Sequence, residues 1–148
     1  MTFDPSGAGG ARPDYPRSAL AARLVGVMRL VVPARGLRLM AEVSRCIRRH
    51  DIHEVVLTDE AARPGAIVQN VAYLGFAEFL TGGVVLWGDA VEVAGAAVGT
   101  VVGFDATHAP NHLNIVIHAP DCRPGVARGH ALGDALIIRP VYTPPAPA

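Results

Sequence analysis

Apolar residues in this chain come in short runs, and glycine or proline separates most of them. Residues 24–32 are rich in Val and Leu and stop at Pro33, which predicts a first strand. From Glu54 onward the same pattern repeats. Apolar runs over 54–58, 71–80, 84–87, 91–93, 98–104, 113–118 and 135–139 are set apart by turns such as Gly82-Gly83, Gly88-Asp89, Ala94-Gly95 and Gly133-Asp134. Gly75, Gly99 and Gly103 fall inside strands, where glycine marks bulges and tight corners. Residues 36–50 differ. Leu39, Met40, Val43, Cys46 and Ile47 recur at three- and four-residue spacing, while Arg38, Glu42, Arg45, Arg48 and Arg49 fall on other faces. That spacing predicts one amphipathic helix with Cys46 on its apolar stripe. A short strand is the alternative. The fold class expected is mainly β: a small closed β-barrel of about six strands with one amphipathic helix.

Composition sets the limits. The chain has 148 residues, of which 51% are hydrophobic. This excludes wholesale disorder and fits one domain. Residues 1–19, with Pro5, Pro13, Pro16 and several glycines, read as a flexible N-terminal arm. Residues 20–142 read as the barrel domain and 143–148 as a Pro-rich tail. Basic and acidic side chains balance at 13 each, so the charge that nucleic acid or an anionic membrane attracts is missing. Every basic residue is arginine, which excludes a Schiff-base or P-loop lysine and fits a GC-rich bacterial genome. The longest apolar stretch, 19–32, carries Arg23 and Arg29 and is too short to span a bilayer. No signal peptide is visible. Cys46 and Cys122 are too few for a disulfide framework, so a cytoplasmic location is expected.

The stretch Gly88-Asp89-Ala90-Val91-Glu92-Val93-Ala94-Gly95, followed by Val98-Gly99-Thr100-Val101-Val102-Gly103 and Asn111-His112-Leu113-Asn114, resembles the glucitol/sorbitol-specific IIA component of the sugar phosphotransferase system. The likeness reaches back to Val55-Val56-Leu57-Thr58 and covers about half the chain. It implies a closed six-stranded barrel. That family carries its phosphoryl group on a histidine in the strand after the turn. The matching stretch here, Val71 to Glu78, holds no histidine, so the resemblance implies the architecture without the phosphotransfer.

The densest polar cluster is Asp105, His108, Asn111, His112 and Asn114, with His118 following. His108 and His112 stand four apart, but Pro110 disfavours helical backbone at Ala109. Alternation along the next strand puts His112, Asn114 and His118 on one face. Glu54 and Glu78 sit in apolar strands, where burial raises a carboxyl pKa and suits general acid or base work. Glu78, between Ala77 and Phe79, is the stronger of the two. The expected catalytic groups are therefore His108, His112, Glu78 and Asp105. Trp87, Tyr73, Phe104, Asn111, Asn114 and His118 are the expected ligand-binding groups. His50 and His53 are read as capping a helix end, Arg45, Arg48 and Arg49 as its solvated face, and Cys122 as a weak nucleophile candidate.

These residues point to a cofactor-independent acid/base enzyme of cyclase, isomerase or lyase type. It would act on a small metabolite in bacterial specialised metabolism and needs no assigned metal. The alternatives are a non-catalytic metabolite-binding module and a metalloprotein using His108, His112 and a third ligand. With 18% charged residues against 51% hydrophobic, apolar surface is left to cover. A homodimer is expected. Light scattering at micromolar concentration should return twice the 15.5 kDa chain mass; a single monomeric species overturns the dimer.

Overall fold

Val, Ile, Leu and aromatic residues recur through the long elements, and those residue types suit pleated, packed backbone. The computed structural model describes residues 17–141 and shows only strands among them. In chain order they are β1 (Leu20–Val27), β2 (Val31–Val32), β3 (Leu37–Arg38), β4 (Ser44–Ile47), β5 (Ile52–Thr58) and β6 (Ile67–Val68). There follow β7 (Val71–Phe79), β8 (Gly83–Leu86), β9 (Ala90–Val93), β10 (Ala96–Asp105), β11 (Asn114–His118) and β12 (Ala135–Arg139).

Seven strands pair in a ring, in the order β1, β12, β9, β10, β11, β5, β7 and back to β1. The ring pairings are antiparallel except β5 with β11, which run parallel. Strand β2 adds to one end of β7, and β3–β6 and β4–β8 form separate two-stranded pairs. The ring thus has seven strands where about six were expected.

Alternate residues serve two cores. Leu20, Val55, Leu74, Phe79, Val93, Phe104, Ile117 and Leu136 belong to one cluster, to which all seven ring strands contribute, so it fills the ring. The intervening residues Val56, Val71, Tyr73, Val102 and Val116 form a second cluster with Leu37, Leu39 and Val68. The β3–β6 pair therefore covers the outer face of β7, β5, β11 and β10. Burial on both faces explains why β5 and β7 read as nearly continuous apolar runs. Glycine permits the closest crossings. A Cβ on Gly99 would stand 1.9 Å from the His118 carbonyl oxygen, and one on Gly75 2.0 Å from that of Gly26. Both lie beside register shifts.

The expected helix over 36–50 does not form; β3 and β4 occupy that stretch. Leu37 and Leu39 are buried while Arg38 between them is exposed, a period of two. Leu37 and Leu39 enter the outer core while Ile47 enters the ring core, a division one helical stripe does not make. Cys46 is exposed beside Arg45, so it lies on no apolar stripe.

Most of the expected arm and tail lies outside the described residues. Arg17, within the expected arm, is clamped. Its guanidinium meets the Asp89 carboxylate at 2.5 and 2.8 Å, with side-chain exposures of 6% and 0%. Asp89 also accepts the Leu86 N–H at 2.9 Å. Removing one partner of a buried pair strands the other charge. Asp89→Ala should cost about 3–5 kcal/mol in urea unfolding. Glu92→Ala, which breaks a more exposed pair with Arg139, should cost below about 1 kcal/mol. Equal losses would deny the Arg17–Asp89 pair its role.

Candidate metal centre

One row of the sheet carries the centre. Phe76 on β7 pairs with Glu54 on β5, Glu54 with Asn114 on β11, and Asn114 with Asp105 on β10. Residues paired across strands share a face. This is the outer face, because Val56 and Val116, two residues further along their strands, lie in the outer core.

The loop between β10 and β11 folds over that row. His108 C=O accepts the N–H of Asn111 at 3.0 Å and of His112 at 3.4 Å. This single turn achieves what the four-residue spacing suggested without a helix. The His108 and His112 rings stack 4.9 Å apart, and Phe76 meets His112 in a T-shaped contact at 5.2 Å. One ligand atom each from Glu54, His108 and His112 then lies within 4.8 Å of the other two. Donors around a tetrahedral zinc with bonds of 2.0–2.2 Å stand about 3.4 Å apart, so small side-chain rotations close the set on an ion.

Two buried polar atoms at this row have no hydrogen-bond partner among the described residues: Nε2 of His112 and Oδ1 of Asn114. The Asn114 amide is oriented by Asp105, whose Oδ1 accepts from Asn114 Nδ2 at 3.0 Å and from the Thr107 N–H at 3.1 Å. The amide oxygen is thereby left without a donor at a site only 1% exposed. Asn111 Nδ2 lies 2.8 Å from His112 Nδ1. Turned over, that amide accepts Nδ1–H and frees the Nε2 lone pair for an ion, the usual support for a ligating histidine.

Electrostatics agree with the geometry. Burial raises the Glu54 pKa, and Asp105 adds to this; His108 and Arg35 pull the other way. Burial, then His108, lowers that of His112. A divalent cation offsets the cost of a buried carboxylate, and a neutral imidazole is the form that ligates.

His53 faces the other way, into the end of the ring near Phe79. Its Nδ1 accepts the Leu113 N–H at 3.0 Å, and burial lowers its pKa. A cleft of about 510 Å³ opens here, lined by Arg45, Arg48, Asp51, His53, Asn111 and His112 among others. A second, of about 360 Å³, shares Asp51, Ile52, Asn111 and His112 with it and adds His50 and Phe76.

Of the expected catalytic residues, His108 and His112 come together and Asp105 stands behind them through Asn114. Glu78 does not join them. It faces outward, bonded to Arg23 at 2.9 Å and 3.5 Å from His50, and the Arg23 hydrogen bond lowers its pKa. Glu54, ranked second, takes the place expected for Glu78. Among the expected binding residues, Asn111 and Asn114 are at the centre, and Tyr73 is near it on the same face. Trp87 lies under Arg63 at 5.1 Å, Phe104 is wholly buried in the ring core, and His118 is four residues along β11 from Asn114. His50 and His53 cap no helix, and Arg45 and Arg48 line the cleft rather than a helix face. Cys122 approaches the Leu57 carbonyl, and burial raises its pKa, the reverse of an activated thiol. Sequence reasoning missed Arg35, which carries no motif.

A family model described as a family of unknown function, DUF6917, matches residues 14–139. The chain belongs to that family. The matched span holds every described strand and all the residues of the candidate centre. No curated protein and no solved structure matches the chain. No helix among the described residues is long and apolar enough to cross a membrane.

The Leu113 N–H depends on His53. His53→Leu should cost about 1–3 kcal/mol in urea unfolding by orphaning that buried donor. His53→Gln, which keeps an acceptor, should lose less. Identical losses would show that the bond contributes nothing.

Proposed function

We propose that this protein works through a divalent transition metal held by Glu54, His108 and His112. The observation that carries the reading is their convergence beside two buried, partnerless atoms, His112 Nε2 and Asn114 Oδ1. Two imidazoles and one carboxylate suit zinc, ferrous iron or cobalt. Three protein ligands leave a position for water or substrate, the pattern of a catalytic rather than a structural site. When bound, the ion supplies Lewis acidity to an oxygen of that water or substrate. Asn114 Oδ1 offers an acceptor for a proton of the water, and Asp105 holds the amide in that orientation. Phe76 and the stacked imidazoles shield one side from solvent.

This favours the histidine-ligated alternative over cofactor-free acid/base catalysis. Small-molecule hydration, hydrolysis or lyase chemistry is the range that a single Lewis-acid centre supports. Two free cysteines are consistent with work in the reducing cytoplasm.

Elemental analysis by mass spectrometry on untagged protein should find about one equivalent of transition metal per chain. His108→Ala, His112→Ala and Glu54→Gln should each lose it, while His118→Ala keeps it. Folded wild-type protein that holds no metal and takes up neither zinc nor cobalt would overturn the reading and return the cluster to acid/base work.

A further inference from the structure

Arg35 lies in the turn between β2 and β3, half-buried, with its backbone N–H bonded to Gln69 C=O at 2.8 Å. Its Nε donates to the Tyr73 hydroxyl at 3.2 Å. Tyr73 is 7% exposed, pairs with Val56, and shares the outer face with Glu54 two residues away. The guanidinium is thus anchored at one nitrogen to a side chain on the face that carries the centre.

What it lacks is a carboxylate. Arg17, Arg23, Arg48, Arg123 and Arg139 all have one within ion-pair reach. Arg35 has none among the described residues, and its two terminal nitrogens bond to no described residue. A half-buried guanidinium with its Nε fixed and its outer edge unused is shaped for a bidentate oxyanion.

We infer that the centre takes a small organic anion, with its charged group held by Arg35 and a second oxygen of the same molecule on the metal. This rests on reading Glu54, His108 and His112 as a metal centre. Charge supports it: a divalent ion and Arg35 together outweigh Glu54 and Asp105, so the site is positive. Tyr73 is the positioning residue, because its hydroxyl fixes the guanidinium plane. Arg45 and Arg48 line the 510 Å³ cleft, which His112 borders but Glu54, His108 and Arg35 do not, with Asp51 among them, and serve as the contrast.

Glycolate is a suitable probe, since it carries a carboxylate and a metal-binding hydroxyl; glycolamide is its uncharged counterpart. In cobalt-loaded protein, glycolate should shift the visible absorption bands. Arg35→Gln should weaken that binding by about tenfold or more, with cobalt affinity unchanged. Tyr73→Phe should weaken it by a smaller factor and Arg45→Gln should leave it alone. Glycolamide should bind wild-type protein about tenfold or more weakly than glycolate. Circular dichroism checks that each variant is folded. Equal glycolate affinity in Arg35→Gln, a loss on Arg45→Gln instead, or a wild-type spectrum that glycolate does not move overturns the anion assignment while the metal centre stands. Failure of wild-type protein to take up cobalt overturns both.

Discussion

The parallel pairing of β5 with β11 is the contact on which the rest depends. It closes the ring between the β1–β7 side and the β9–β10 side, and it sets Glu54 opposite Asn114. Side chains alternate, so a slip of one residue would turn Glu54 into the ring and Val55 out. The apolar partners hold the register. Val55 and Leu57 must enter the ring core and Val56 the outer core, and no one-residue shift satisfies both. The centre is therefore a by-product of packing: the register that buries three neighbours also brings a carboxylate beneath the β10–β11 loop.

Burial on both faces shapes the chemistry as well. In a sheet with one wet face, Glu54 would point into water at its ordinary pKa. Here the β3–β6 pair, Phe76 and the stacked histidines surround the outer face, and the carboxyl is desolvated. Desolvation makes an ionised carboxylate costly alone and favourable beside a cation. Glu78, one strand away on the same face but beyond that cover, forms a surface pair with Arg23 instead. The two glutamates differ through their neighbours and not through their sequence context, since each is flanked by apolar or aromatic residues.

The β identity of nearly every long strand was legible from run length, residue type and glycine punctuation, and Gly99 and Gly103 marked real irregularities. The error over residues 36–50 has a physical origin. Leu37 and Leu39 go to one core and Ile47 to the other, and the summed pattern imitates the three- and four-residue spacing of a helix. His108, His112, Asp105, Asn111 and Asn114 were legible as a cluster because one loop and one strand carry them all. Glu54 could not be joined to them, because about fifty residues intervene and only pairing brings it close.

By itself the sequence determined that the chain is mainly strands with tight glycine corners, and it determined the local group of two histidines and their amide neighbours. Those properties follow from short-range preferences of backbone and side chain. The tertiary structure decided the number of strands in the ring, which glutamate meets the histidines, and where Arg35 stands. These depend on register between distant segments, and register is set by the simultaneous filling of two cores, a condition no local pattern expresses.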